Sequence, residues 1–275
     1  MPNGGSDCCG TCWFNSKNEG KPGYHNSNKK GIVLCTIRNI EISDPFYTYC
    51  INHPHHNPTK ISVPLGGIYT GEDRKLLVNA PDNEETRLAL VELLEKIEET
   101  PVNEYPAGRS LDEEIIVQIG LLLEKRAVPK LKQIVKFNPL ANPVGDNPFN
   151  KNRIITVGLS IEVLAKLIGN EAMTDLERLS KIGLTTTNNY DPKQDKFAPI
   201  RYHVIRGLKN CDGKEAINLL IEGLKDPHQE IKAFSKDILE EKIGEEKTEE
   251  LINDINKNSQ KTPRNNWWGF WKQNK

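Results

Sequence analysis

The feature that most constrains this chain is a group of cysteine and histidine residues at paired spacings near its start. Cys9 and Cys12 form a Cys-x-x-Cys pair, Cys50 and His53 form a Cys-x-x-His pair, and Cys35 lies between them. A gap of two residues lets both side chains of a pair face one ion, so two pairs can enclose a tetrahedral site. The spacing therefore predicts a metal-binding module in the first fifth of the chain.

The composition of residues 1–80 points the same way. The segment is rich in Gly, Pro, Asn, Cys and His, with a β-branched stretch at 31–42 and short strands expected at 61–65 and 75–78. So little apolar bulk cannot offset the entropy lost when these loops become ordered. We expect a bound metal to supply the missing stabilisation.

Two sets of ligands are open for this site. One set is Cys9, Cys12, Cys35 and Cys50, and the other replaces Cys35 with His53. We favour the four-cysteine set because Cys35 follows an apolar strand that would present its side chain inward. Cys8 precedes Cys9 directly, and adjacent side chains diverge, so Cys8 is expected to take no part.

One structural Zn²⁺ is the expected metal, because four thiolate or imidazole ligands can neutralise and enclose it. The order of a Cys-x-x-Cys pair followed by two single cysteines also resembles small iron–sulfur proteins, so an iron–sulfur cluster is the alternative. A site closed by four protein ligands has no position for water or substrate. The predicted role is therefore structural.

Charge and targeting signals restrict the functional classes. Lys and Arg total 37 against 38 Asp and Glu, which argues against bulk electrostatic binding to nucleic acid. The first residues lack the basic start and apolar stretch of a secretory signal, so a cytoplasmic location is expected. Thiols stay reduced there, and clustered cysteines more often bind metal than form disulfides.

From residue 81 onward the apolar residues repeat at helical spacing. The leucines Leu131, Leu176 and Leu220 follow similar stretches and lie roughly 45 residues apart, the spacing of long two-helix repeats. Helices are predicted from Pro81 to about 100 and at 112–125, 129–135, 154–168, 172–182, 200–208, 214–224, 229–243 and 247–255.

Residues 216–239 contain an apolar helix pattern, an Asp226-Pro227 turn and the start of another helix. This stretch resembles the HEAT-repeat family, and the resemblance extends over 84–257, with departures at the long loops 138–152 and 185–198. It implies an α-solenoid whose inner face binds partners. The expected fold is mainly α: a Cys/His-rich module of loops and short strands at 1–80, then an irregular solenoid of helix pairs at 81–257.

A basic, aromatic tail occupies residues 258–275. Five basic residues and no acid occur from Lys257 onward, and the tail also carries four aromatic side chains, Trp267, Trp268, Phe270 and Trp271. We favour their folding back to cap the helical array, with contact to another protein or to a membrane surface as alternatives. Nucleic acid is disfavoured because the basic patch is small.

These features together predict a non-enzymatic protein-binding adaptor with a structural zinc site. No phosphate-binding loop, nucleophile elbow or His-Glu-x-x-His motif occurs in the sequence. The resemblance to HEAT repeats also allows an enzyme or accessory factor of the HEAT-like lyase type. A redox protein carrying an iron–sulfur cluster on the cysteines is a third possibility.

Overall fold

A computed structural model shows a mainly helical protein with small antiparallel sheets near its start. The residues that it describes are 8–18, 32–50, 52–53, 66–70, 75–96, 111–136, 148–184, 191 and 194–261. The strand predicted at 61–65 and the tail aromatics Trp267, Trp268, Phe270 and Trp271 lie outside these ranges.

Two small sheets form the cysteine-containing module. Strands β1 (Val33–Cys35) and β2 (Ile40–Ile42) make an antiparallel hairpin. Strands β3 (Thr48–Cys50), β4 (Ile68–Thr70) and β5 (Lys75–Val78) make a second antiparallel sheet in the order β3-β4-β5. The predicted stretch at 31–42 is thus two strands rather than one, because the chain reverses at Asn39, whose φ is +53°.

The helical region begins at residue 84. Its helices are α1 (Glu84–Glu95), α2 (Leu111–Leu122), α3 (Val128–Val135), α4 (Pro148–Ile168), α5 (Met173–Ser180), α6 (Ala198–Leu208), α7 (Lys214–Gly223), α8 (Gln229–Ile243) and α9 (Glu245–Lys261). Within the described ranges, no helix combines the length and the apolar content needed to cross a membrane.

Local chemistry explains several helix ends. Asn83 caps α1 by accepting the Thr86 N–H at 2.8 Å, so the helix begins three residues after the predicted Pro81. Helix α4 begins at Pro148, six residues before the prediction, and proline is accepted in a first turn because its missing N–H has no helical partner there. Gly244, with φ of +90°, separates α8 from α9.

The helices pack in a regular succession. Helices α2, α4, α6 and α8 contact one another in that order, and each is followed by a helix that packs against this row: α3 against α4, α5 against α6, α7 against α8 and α9 against α8. Their apolar faces form one buried cluster that extends from Ala80 to Leu239. Hydrophobic burial between successive helices therefore supplies the core of this region.

A buried carboxylate joins the module to the helices. Glu114 on α2 accepts hydrogen bonds from the Gly67 N–H at 2.7 Å and the Tyr69 hydroxyl at 2.9 Å, both in or beside β4. Gln118, one turn later on α2, donates to Glu114 at 2.8 Å and accepts the Ala80 N–H at 3.1 Å. Hydrogen bonds therefore fix the second sheet to α2.

Candidate metal centre

Four of the five predicted ligands line one small cavity in the module. Cys9, Cys12, Cys35 and Cys50 surround a cavity of about 10 Å³. The other described residues that line it are mostly apolar or amide side chains: Phe14, Asn15, Val33, Ile37, Ile42, Asn52 and Ile68. All four cysteines are at least nine-tenths buried, so their thiols are shielded from bulk water.

The four cysteines come from three separate elements. Cys9 opens a short 3-10 turn, Cys9–Thr11, and Cys12 follows it directly. Cys35 ends β1, where it pairs with Ile40, and Cys50 ends β3, where it pairs with Ile68. Isolated bridges from Cys8 to Tyr49 and from Asn15 to Cys35 tie the turn to both sheets. The chain thus brings residues that are distant in sequence to one point.

The turn that carries Cys9 and Cys12 depends on Gly10. A Cβ atom at this position would lie 2.6 Å from the Phe46 ring, closer than packed atoms approach. The Gly10 N–H also donates to the Pro45 carbonyl oxygen at 2.8 Å. Close contact with the segment between β2 and β3 therefore requires a residue without a side chain.

Two buried asparagines hold the same turn from the other side. The Asn15 side chain donates to the Cys9 carbonyl oxygen at 3.0 Å. The Asn18 side chain donates to the carbonyl oxygens of Gly10 at 3.0 Å and Cys12 at 2.9 Å. Sequence reasoning missed both roles, because asparagine near a Cys-x-x-Cys pair predicts an exposed loop equally well.

The thiols interact electrostatically with one another. Burial, and then the neighbouring thiols of Cys50, Cys12 and Cys35, raise the pKa of Cys9 well above its usual range. Burial also raises the pKa of Cys12, with Cys50 adding to the effect and the Phe14 backbone N–H opposing it. These mutual effects indicate that the sulfur atoms share one environment of low polarity.

Hydrogen bonds and a cation partly offset burial at Cys50. Burial raises the pKa of this thiol, while the Arg38 guanidinium and the Asn52 amide lower it. The Asn52 N–H lies 3.3 Å from the Cys50 sulfur. Arg38 also donates to the carbonyl oxygens of Gly66 and, at 2.8 Å, Asn79, so it links the β1–β2 hairpin to the second sheet. The sequence carries no local signal for this role of Arg38.

His53 and Cys8 lie beside the cavity lining rather than within it. His53 is buried, and its Nε2 lies 2.9 Å from the Thr11 hydroxyl. Cys8 is fully buried with its sulfur 4.0 Å from the same hydroxyl. None of the six cysteines, all of which fall within the described ranges, forms a disulfide. The geometry therefore groups Cys35, rather than His53, with the other three thiols.

The side chains as placed do not form a finished coordination shell. Among the described residues, no three Cys, His, Asp or Glu side chains form a group that could hold a metal ion in this arrangement. Binding would therefore require the cysteine side chains to rearrange around the cavity they already line. Zinc coordination by these residues remains a prediction.

Buried charge in the helical region has a structural explanation. Arg201 on α6 is 1% exposed and pairs with Asp195 at 2.6 Å and Asp226 at 2.7 Å. Asp226 belongs to the predicted Asp-Pro turn, and its carboxylate also accepts the His228 N–H at 2.8 Å. Arg201 thus fixes the turn between α7 and α8 to the residues that precede α6.

Comparisons with known proteins found no match. No family model, no curated protein and no solved structure matches the chain. The resemblance to HEAT repeats therefore stays a prediction, which rests on residues 216–239. The fold and the cysteine cavity are the basis for what can be inferred about function.

Proposed function

We propose that this protein is a non-enzymatic binding scaffold whose first eighty residues are held together by one structural zinc ion. Cys9, Cys12, Cys35 and Cys50 would be the ligands. The observation that carries the proposal is the placement of four buried thiols, from three separate elements, around one cavity. Four thiolates at tetrahedral positions are a common zinc-binding set.

The size of the cavity supports a single ion. Its volume of about 10 Å³ is near the lower limit for a cavity that admits one water molecule. A cluster of several iron and sulfide ions would require the walls at Val33, Ile42 and Ile68 to move apart. Zinc–sulfur bonds of about 2.3 Å instead draw thiolates inward. The cavity therefore favours zinc over the iron–sulfur alternative.

Burial supports a structural rather than a catalytic role. Four protein ligands fill a tetrahedral shell and leave no position for water or substrate. The apolar cluster around the cavity is small, and three of its six buried members are the cysteines Cys9, Cys35 and Cys50. Coordination bonds would therefore add the stabilisation that apolar contacts do not provide.

The succession of helices supports the scaffold part of the proposal. Helices α2, α4, α6 and α8 contact in order, and the helix after each packs against the row, which is the pattern expected of stacked helix pairs. The segment that resembles a HEAT repeat supplies α7, the turn at Asp226 and α8. We infer an irregular solenoid, whose extended surface suits binding to another protein.

Elemental analysis of the full chain tests the zinc site. Reduced, purified protein is expected to contain about one zinc per chain and to be colourless, since four thiolates bind one tetrahedral ion. Cys50→Ser should lose the zinc. Cys211→Ser is the matched control because Cys211 is also fully buried but lies after α6, and this variant should keep its zinc.

The same samples separate the alternatives. Visible absorption together with stoichiometric iron would show that the protein holds an iron–sulfur cluster instead of zinc. A bound tetrapyrrole would favour an enzyme or accessory factor of the HEAT-like lyase type. Well-folded, metal-free protein whose Cys50→Ser variant is equally stable would contradict the zinc proposal. Cross-linking tests the scaffold role: a partner is identified and purified, and the positions of its cross-links on the full chain are mapped. Cross-links confined to the module would count against a binding surface on the helices.

A further inference from the structure

The helical region contains a second cavity, which shares no lining residue with the one among the cysteines. It has a volume of about 150 Å³, and its described lining comes from α5, α6, α7 and α8 and from the turns after α5 and α7. Four aliphatic side chains form its apolar walls: Leu184, Ile205, Leu219 and Ile231. Engineered apolar cavities of about 150 Å³ bind benzene. The size and the walls of this cavity therefore fit one small ring.

The buried cation in the lining is neutralised within the protein. Arg201 pairs with Asp195 at 2.6 Å and with Asp226 at 2.7 Å. Its guanidinium makes five hydrogen bonds, four to these carboxylates and one to the Ile182 carbonyl oxygen. A guanidinium has five N–H groups, so Arg201 has none left for a ligand. A charged ligand would lose its water in the cavity without gaining a free counter-ion, and this favours an uncharged one.

Two ion pairs at the cavity lie in water. Lys181 binds Glu177 at 2.8 Å, and each of these side chains is more than half exposed. Lys225 binds Glu222 at 2.6 Å, and this pair is similarly exposed. A protein surface that covered the cavity would have to remove both pairs from water, which costs free energy. A single ring leaves them hydrated, so the arrangement favours a free small molecule over a side chain of another protein.

The other polar groups of the lining offer acceptors to a ligand. The Ser180 hydroxyl donates its hydrogen to the Glu177 carbonyl oxygen at 2.8 Å, so its lone pairs are left to accept a hydrogen bond. Glu222 adds a carboxylate, which also accepts. A ring with an O–H or N–H group can therefore donate here, whereas a ring with a carboxylate would bring one acceptor to another.

We propose that this cavity binds a free, uncharged aromatic molecule that carries one O–H or N–H donor, of the size of phenol or indole. The ring would lie against the aliphatic walls and donate to the Ser180 hydroxyl oxygen. Leu184 lines the cavity and is 44% exposed, so a ring can enter beside it. The inference depends neither on the zinc site nor on the scaffold role.

Methyl NMR of the full chain, labelled at isoleucine and leucine, tests the proposal. Titration with phenol or indole should shift the methyl resonances of Ile205, Leu219 and Ile231, which line the cavity. We expect a dissociation constant on the order of 1 mM or lower for rings of this size. Benzene, which has no donor, should bind more weakly, and benzoate should leave the resonances unchanged.

Two variants locate the ring. Leu184→Trp should place an indole of the chain itself at the cavity and weaken phenol binding at least tenfold. Leu88→Trp is the matched control, because Leu88 is 45% exposed but lies on α1, and it should keep the affinity. Ser180→Ala removes the acceptor, so it should weaken phenol binding roughly three- to tenfold and leave the affinity for benzene unchanged.

Several results would overturn the proposal. No methyl shift with phenol or indole, well above the expected dissociation constant, would show that the cavity binds no such ring. Equal binding of benzoate would contradict the requirement for a donor, and an unchanged affinity in Leu184→Trp would place the ring elsewhere. N-acetyltyrosinamide binding as tightly as phenol would assign the cavity to a protein side chain. If Leu184→Trp loses helicity, Ser180→Phe makes the same test from α5.

Discussion

Apart from Cys211, the buried cluster of the helical region consists of leucine, isoleucine, valine and alanine, whereas half of the buried apolar cluster in the module is cysteine. Among the residues that the structure describes, the helical cluster has 34 buried members between Ala80 and Leu239, while the cluster of the module has Val33, Ile42 and Ile68 beside its thiols. The difference shows that one chain uses two ways of stabilising a fold. The helices depend on apolar area, and the module must depend on something else.

Buried polar side chains also have different roles in the module and in the helical region. In the module, Thr11, Asn15 and Asn18 are buried and bind backbone carbonyl groups, so they define loop conformations. In the helical region the most buried charge, Arg201, binds two carboxylates and joins segments that precede α6 and α8. Loops lack periodic backbone hydrogen bonds, so side chains must bind their N–H and C=O groups, whereas the interior of a helix pairs these groups with one another.

The largest expected mutational effect lies in the helical region. Arg201→Met leaves Asp195 and Asp226 buried without their cation, so we expect a loss of about 3–5 kcal/mol in the free energy of unfolding. Arg206→Met on the same helix is the control, because Arg206 is 45% exposed, and its contacts are with a partly exposed Glu162 and the Tyr202 ring. Urea unfolding followed by circular dichroism measures both. Equal losses of unfolding free energy in the two variants would contradict the distinction between the buried and the exposed arginine.

A smaller effect is expected from the loops of the module. Asn18→Ala removes two hydrogen bonds to the turn that carries Cys9 and Cys12, which should lower stability by about 1–3 kcal/mol. It should also weaken zinc binding in competition with a chromophoric chelator. Asn210→Ala is the control, because Asn210 is exposed and its side chain donates to the Gly207 carbonyl oxygen at a long 3.4 Å. Unchanged zinc affinity in Asn18→Ala would show that the turn is held by other contacts.

Acid should remove one stabilising contact that links α1, α2 and α3. Hydrogen bonds from Arg126 lower the pKa of Glu124 from 4.5 to about 2. Because the folded value is the lower one, this stabilisation is complete above pH 4.5 and is lost as the pH falls towards 2. Glu124→Gln should therefore lose about 1–2 kcal/mol at pH 7 and progressively less below pH 4.5. A difference from the unsubstituted protein that stays constant between pH 7 and pH 3 would contradict this.

The smallest predicted effect is a gain. Leu123 follows α2 with φ of +54°, and the next residue closes the helix end through its N–H to the Ile119 carbonyl oxygen at 3.1 Å. Glycine accepts this conformation without strain, so Leu123→Gly should raise stability by about 1 kcal/mol. Leu88→Gly, at another exposed leucine but inside α1, should lower stability by about 1 kcal/mol. Thermal unfolding measures the change in stability of both variants. Changes of the same sign would refute the strained conformation assigned to Leu123.

Much of the helical region could be predicted because its elements repeat an apolar pattern over several turns. Helix α8 has the predicted bounds 229–243, and α6 and α7 begin or end within two residues of their predictions. Helix α9 extends beyond the predicted 247–255 at both ends. Its polar outer turns carry no periodic apolar signal from which these ends could be predicted.

In the module, the strand predicted at 75–78 is confirmed as β5, whereas β3 and β4 were not predicted. Strands β3 and β4 have three residues each, which is too short for alternation to be recognised. The cysteine spacing identified residues that share a cavity. Arg38 and Glu114 instead act through backbone groups that are 41 and 47 residues away in the sequence. Such contacts follow from the completed fold and leave no local pattern.

Hydrogen exchange of the reduced full chain, with and without a zinc chelator, tests most directly whether metal coordination holds the module. Removal of the metal should abolish amide protection in residues 8–18, 32–50 and 66–70, because apolar contacts alone cannot maintain them. Protection in α4, α6 and α8 should remain. Unchanged protection of the module in verified metal-free protein would contradict the account.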